Sequence, residues 1–269
     1  MIIDVHAHLL NYTGYDHLLA QSAKQSGIAK MVLTGGPRQY EFASNDDVIT
    51  ASERYPDLFI PFAHFRLGHD YPAMVDEFHA RGFCGLQFTM PEKDYDDKEY
   101  YLVYSRAGQL GMPALFQLGM IPNSGRDHLY NVCCERMRPI YLDTIARAFP
   151  ELNIIGTRLG APWYEEACEV ARCNPNVFMD LSGSTLRRKR ADFFGELLAW
   201  DTWEDGGSRG QRPWHKILFG SDVHCRHLNS IIGEYQKFFE HLGLNAETRS
   251  CVMGFNAVRA LNLELETAD

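Results

Sequence analysis

The sequence predicts an α/β fold of one architecture, a single (β/α)8 TIM barrel over residues 1–269, and three observations predict it. Short apolar runs, rich in β-branched and aromatic residues, alternate eight times with longer stretches of amphipathic helical character. Several of these runs are almost continuously apolar, as strands of a parallel sheet buried on both faces must be. The 269 residues suit one barrel of about 250 residues, and no composition break, low-complexity linker or repeated sequence unit divides them. An open doubly wound sheet shares the alternation, but the GxGxxG that would open its first crossover is absent.

Taken in order, the first strand is Ile2–His8 and the first helix lies near Tyr15–Gly27. Lys30–Gly35 and a helix near Asn45–Tyr55 form the second unit, stopped at Tyr55-Pro56. The third is Leu58–Phe65 with Tyr71–Arg81, ended by Gly82, and the fourth is Phe83–Thr89 with Glu99–Gly111, ended by Gly111-Met112-Pro113. Ala114–Gly119 leads through a longer loop, Met120–Cys134, to Glu135–Phe149 and the stop Phe149-Pro150. The sixth unit is Asn153–Gly160 with Trp163–Cys173, closed by Asn174-Pro175, and the seventh is Asn176–Gly183 with Arg187–Trp200. The last strand, Lys216–Val223, is followed by helices near Leu228–Leu242 and Ala246–Leu261. Gly and Pro after a helix and before a strand are what an αβ loop requires.

Composition narrows the function classes. With 45% hydrophobic and 23% charged residues the chain reads as ordinary globular protein. No run approaches the roughly 20 apolar residues of a membrane span. The opening MIIDVHAHLL has charge and histidine inside its apolar part and no basic region before it, unlike a secretory signal, so a cytoplasmic location and no membrane partner are expected. A net charge of −9 disfavours nucleic acid, whose binding relies on neutralising phosphates. The seven cysteines include no CxxC and read as reduced thiols, the adjacent Cys133–Cys134 as ordinary helix or loop residues ahead of a redox or metal feature. The expected partner is a small anionic substrate, and a homo-oligomer is compatible with this composition.

Candidate chemistry sits at the two ends of the chain. Side chains alternate along a strand, so Asp4, His6 and His8 are expected on one face, pointing to the barrel axis. His8 lies toward the C-terminal end, where barrel enzymes place their chemistry. Two imidazoles two residues apart converge on a point that suits a divalent metal, and Asp4 one layer below would orient an imidazole. Asp222 ends the run KILFGSD, and first and eighth strands are neighbours in a closed barrel. It is therefore expected to face His6 and His8 as a third metal ligand, a general base, or both. Its plain alternative is a helix cap.

These residues carry a family resemblance. The segments IDVHAH, NIIGTRLGAPW, VFMDLSG, ILFGSDV and GFNAVRALNLE, in that order, resemble the amidohydrolase superfamily. The resemblance is strongest to its branch of small metal-dependent hydrolases and aminocarboxymuconate-semialdehyde-type decarboxylases, and runs from residue 1 to about 263. It implies that the HxH pair and Asp222 bind a divalent metal, usually zinc, and that Asp222 handles the proton of a water bound there. Two positions depart from the pattern. A strand-five metal-binding histidine is replaced by Gln117 and a strand-six histidine by Arg158. Glutamine is the poorer zinc ligand, and arginine neither ligates nor acts as a base near neutral pH.

Three readings follow. His6, His8 and Asp222 hold one metal while Arg158 clamps a substrate carboxylate or oxyanion. Alternatively the site is metal-free, with Asp222 as general base and Arg158 as anion site, as the superfamily's metal-free lactonases imply. In the third, the barrel only binds a small anion. Charge weighs toward the second, because a guanidinium within a few ångströms of a dication would cost several kcal/mol without an anion between them. His64 ends the third strand and Arg66 follows it two residues on, the two expected to point the same way, with Gln87 and Thr89 near the end of the fourth. His64 is the leading replacement acid–base group, although a lone histidine there also reads as a satisfied rim residue. The basic run from Arg187 to Arg190 would draw in an anion or is a solvated face. The loop Met120–Cys134, with Asn123, Gly125, Arg126 and His128, is a lid or a surface excursion. Trp163 is expected in the pocket wall, and one of His224 and His227 at the rim without a ligand role.

The reading is an amidohydrolase-type hydrolase of a small carboxylated lactone, ester or amide. Its catalytic group is Asp222, Arg158, His64 and Gln117, its substrate-binding group Arg66, Arg187 and Trp163, and its metal ligands His6, His8 and Asp222. The alternatives are a lyase, decarboxylating or hydrating a related diacid, and a non-catalytic anion binder.

Overall fold

A computed structural model of the chain describes residues 1–125, 127, 131–200 and 212–264. The eight expected strands are present: β1 Ile2–His8, β2 Ile28–Thr34, β3 Phe59–Phe65, β4 Gly85–Phe88, β5 Ala114–Phe116, β6 Ile154–Gly156, β7 Val177–Asp180 and β8 Ile217–Leu218. They pair in sequence order, each parallel to the next. The ring closes where the Val5 N–H donates to the Phe219 carbonyl at 3.0 Å and the Asp222 N–H to the His6 carbonyl at 2.7 Å.

Apolar residues sort into two layers. Ile3, Val5, Val32, Phe62, Leu115, Ile155, Phe178 and Leu218, drawn from seven strands, form one interior cluster. Ala257, Ala260 and Leu261, from the C-terminal helical run, join the same cluster and close that end of the barrel. The larger cluster lies between the strands and the surrounding helices. A typical helix, Asn45–Arg54, opens on a reciprocal Ser44–Asp47 capping box and buries Val48 and Ala51.

Several expected boundaries shift. From β4 onward the strands leave the ladder before their expected C-terminal ends, because the backbone turns outward to form the mouth. The sixth ends at Gly156, and Thr157–Gly160 is a tight turn with Arg158 (φ 55) and Leu159 (φ 46) in the left-handed region. The eighth is paired only over Ile217–Leu218, with Asp222 also left-handed at φ 45. The expected helix Glu135–Phe149 is a short turn, Cys134–Met137, and then Tyr141–Ala148, with Pro139 between them. Extended backbone at Lys189 and Arg190 likewise divides the helix over Arg187–Trp200 into Thr185–Arg188 and Ala191–Leu197.

β1 corrects the simple alternation. Its register against β2 shifts between Asp4 and Ala7, so Ile3 and Val5 reach the interior cluster although His6 lies next to Val5. Asp4 orients no imidazole. Its Oδ1 instead accepts the backbone N–H of His6 at 3.0 Å and of Ser221 at 2.8 Å, tying β1 to the segment after β8. Among the described residues, no helix is long and apolar enough to cross a membrane.

Candidate active site

The mouth of the barrel brings His6, His8 and Asp222 together. One ligand atom from each lies within 4.8 Å of the others. His6 Nε2 is 3.3 Å from His8 Nε2, and Asp222 Oδ1 stands 3.9 Å from the first and 3.7 Å from the second. Ligand atoms around a tetrahedral zinc at ~2.05 Å stand ~3.3 Å apart, so these separations need only a small contraction.

The second nitrogen of each imidazole fixes what the first one offers. His8 Nδ1 is 3.2 Å from the Gly35 carbonyl, which can only accept, so the hydrogen is on Nδ1. His6 Nδ1 is 3.0 Å from Asp180 Oδ2 and 3.0 Å from Ser182 Oγ, and the carboxylate likewise asks for a hydrogen on Nδ1. Both Nε2 atoms then turn lone pairs toward each other and toward a carboxylate oxygen. A proton on His6 or a metal cation satisfies that convergence, and the donor set therefore fits a divalent ion.

Asp180 is the residue the sequence reading missed. It is fully buried, and its Oδ1 also accepts the backbone N–H of Arg158 at 2.6 Å and of Ser182 at 2.9 Å. One carboxylate thus holds both an imidazole and the left-handed Arg158. Its signal was the acid at the end of the apolar run VFMD, the same pattern that marked Asp222. Gly220 makes room for it: a Cβ there would stand 3.0 Å from Asp180 Oδ2 and 3.1 Å from the His6 Cβ.

Arg158 turns its guanidinium onto Asp222. Its Nε donates to Asp222 Oδ2 at 2.8 Å, and its Nη2 bonds the same oxygen. Asp222 is therefore split, Oδ2 to the guanidinium and Oδ1 to the imidazoles. Burial alone would raise the Asp222 pKa, but the charges of Arg158, His6 and His8 outweigh it and hold the carboxyl well below the usual range. Burial lowers the His6 imidazole, yet the carboxylates of Asp222 and Asp180 leave it above its ordinary value. Burial, with the neighbouring His6, pushes His8 down to about 4.

A cavity of ≈ 330 Å³ opens beside this cluster. Phe42, which stacks on the His8 ring at 4.3 Å, joins Tyr40, Met90 and Ile121 as its apolar walls, and His8, Gln87, Thr89, Gln117 and Arg158 supply its polar groups. Gln117 is buried there with its Nε2 donated to the Leu118 carbonyl at 3.3 Å. His64 lies in an adjoining pocket with Arg66, its Nε2 2.8 Å from Thr89 Oγ1, and burial pushes it down to about 4. Arg66 is ion-paired with Glu92.

Other expected site residues lie elsewhere. Arg187 is on the surface, its Nε 2.8 Å from Glu234, because the divided helix turns it to the helix Leu228–His241. Trp163 precedes the helix Tyr164–Cys173 and carries the Arg138 guanidinium 5.3 Å over its ring rather than lining the cavity. His224 stands at the rim, 2.9 Å from the Tyr12 hydroxyl. Arg126 and His128 fall outside the described residues.

A ring of parallel strands with two imidazoles and a carboxylate at its mouth defines a class of barrel enzymes, and the comparisons agree. The sequence profile of the amidohydrolase family matches residues 3–263, and the chain belongs to that family. It is an enzyme of the amidohydrolase superfamily. No curated protein matches it in sequence. Among solved structures it is similar to an uncharacterised TIM-barrel protein of Bordetella bronchiseptica (19% identity, 97% of this chain and 98% of the other, TM-score 0.68). It is also similar to a probable 2-pyrone-4,6-dicarboxylic acid hydrolase of Acinetobacter baumannii with bound citric acid (14%, 97% and 99%, TM-score 0.63). A third is a dihydroxybenzoic acid decarboxylase of Polaromonas sp. JS666 with manganese and an inhibitor (14%, 97% and 96%, TM-score 0.62).

Proposed function

We propose that the chain hydrolyses a small carboxylated substrate, a lactone, ester or amide, at the cluster of His6, His8 and Asp222. The observation that carries this reading is the division of Asp222 between the imidazole pair and Arg158, beside an apolar cavity. His6 Nε2, His8 Nε2 and Asp222 Oδ1 would hold a divalent ion, with zinc suited to two imidazoles and a carboxylate. Such an ion supplies Lewis acidity, making water more acidic and polarising an acyl oxygen.

The chain's own groups do the rest. Asp222 stays ionised near neutral pH and its Oδ1 accepts the proton of the attacking water as the new bond to the acyl carbon forms. The same oxygen returns the proton to the leaving alkoxide or amine. Arg158 lines the cavity and, among the described residues, bonds Asp222 through Nε and Nη2, so its remaining nitrogen, Nη1, takes the substrate carboxylate. The apolar walls exclude bulk water and strengthen these electrostatic contacts. His64, neutral at pH 7 and one pocket away, is a rim group for the substrate's far end.

Decarboxylation is the second reading, favoured by the apolar cavity in which a carboxylate loses its charge and by the similarity to a dihydroxybenzoic acid decarboxylase. Metal analysis of protein purified without chelator, followed by a panel of carboxylated lactones, esters, amides and aromatic acids, tests both. Hydrolytic acid release without carbon dioxide supports the hydrolase, and carbon dioxide release supports the lyase. Less than about a tenth of an equivalent of metal in active protein removes the ion from the mechanism.

A further inference from the structure

One polar group in the cavity has no counterpart in the reading above. Gln87 is the penultimate residue of β4, is fully buried and lines the cavity. Its Oε1 accepts the hydroxyl hydrogen of Thr34, from β2, at 2.7 Å. Among the described residues its Nε2 has no hydrogen-bond partner. A buried amide N–H without a partner loses its water hydrogen bonds with nothing in return, which is among the more costly arrangements in a protein interior. Gln117, by contrast, spends its amide nitrogen on the Leu118 carbonyl, and Thr89 meets His64. Arg158 supplies charge at one part of the cavity wall, and Gln87 supplies a neutral donor at another.

We infer that Gln87 is a specificity-determining residue, whose Nε2 donates to an uncharged oxygen of the substrate while Arg158 holds its carboxylate. Thr34 is a positioning residue: by occupying Oε1 it turns the donor end of the amide into the cavity. The preferred substrate class is then an acid that carries a second, neutral acceptor (a ring ketone, a lactone carbonyl or an ether oxygen) across the ring from the carboxylate. An acid lacking that oxygen leaves the amide unpaired. This inference rests on the proposed anion-binding role of Arg158.

The test uses two ligands of equal shape: cyclohexanecarboxylate and its analogue with a ring ketone opposite the carboxylate. Their affinities are measured by calorimetry or ligand-observed NMR on the full chain. Wild type is expected to prefer the ketone acid by about tenfold. Gln87→Met should bring that ratio to within twofold of unity while leaving the plain acid unchanged. Thr34→Val, which keeps the amide but frees its orientation, should lower the ratio to an intermediate value. Arg158→Met should weaken both acids alike and keep the ratio. An unchanged ratio in folded Gln87→Met, or no preference in wild type, overturns the assignment of Gln87 alone. If Arg158→Met weakens neither acid, or neither binds wild type, the anion-site reading fails and this inference with it.

Discussion

Replacing Asp180 by Asn changes the site without changing its shape. In the native site Asp180 Oδ2 accepts the His6 Nδ1 hydrogen at 3.0 Å, while Oδ1 accepts the N–H groups of Arg158 and Ser182. Asparagine keeps one acceptor, which the two backbone N–H groups hold in place, and its NH2 then faces His6 Nδ1. Two donors cannot share that contact, so the imidazole moves its hydrogen to Nε2. That hydrogen points at His8 Nε2, 3.3 Å away, into the position of a shared cation. Losing such a partner behind a metal-binding histidine typically costs 10–100-fold in metal affinity. Weakening the charge-assisted bonds should cost stability about 1.5–3 kcal/mol, a fall in Tm of roughly 3–12 °C. Zinc affinity by chelator competition and the His6 tautomer by nitrogen-15 NMR provide the assays. Zinc affinity within twofold of wild type, with the hydrogen still on Nδ1, would refute the argument that Asp180 sets the direction of the lone pair.

Asp222→Asn should lower turnover by about 10²–10⁴ while leaving the fold intact, and activity within tenfold of wild type excludes Asp222 as the base. Arg158→Met removes a positive charge beside the three candidate ligands, so divalent-ion affinity should rise at least tenfold even as anionic substrates bind more weakly than neutral analogues; unchanged ion affinity argues against a shared site. Lys216 is buried with its Nζ on the carbonyls of Asn174 (3.1 Å) and Pro175 (2.8 Å), and burial followed by the Arg259 charge pushes it down to about 7. The unfolded chain keeps that proton up to about 10.5, so it binds more protons than the native state across pH 7 to 10 and stability rises with pH there. The slope is at most about 1.4 kcal/mol per pH unit, and denaturant titrations of Lys216→Met should show it lost. A slope equal to wild type would mean that Lys216 stays charged in the folded protein.

Much of this was legible in the sequence because it follows from local pattern. Eight apolar runs bounded by Gly and Pro give eight strands, and closure of the ring brings residue 222 to residues 6 and 8. What was not legible depends on backbone that leaves the regular ladder. The shift within β1 moves Asp4 from the imidazoles to backbone N–H groups, which alternation cannot foretell. Arg158 was expected to clamp the anionic end of a substrate, and its left-handed conformation also turns it onto Asp222 within the chain. Arg187 lay in a basic run whose helix was read as unbroken, and the break sends it to Glu234. Asp180 shared the strand-end signature of Asp222 but lacked a nearby histidine in sequence, its partner being His6 from the opposite end of the chain.

Both members of the central ion pair, Arg158 and Asp222, occupy left-handed backbone without being glycine. Each such residue costs of order 1 kcal/mol against an unstrained alternative, a cost the surrounding contacts must offset. Glycine at either position would relax the backbone but delete that ion pair and leave its largely buried partner charge alone, at a cost greater than the strain relieved. The strained backbone and the ion pair therefore hold each other in place, and stabilising substitutions of this barrel are to be sought in its outer helices, away from the mouth.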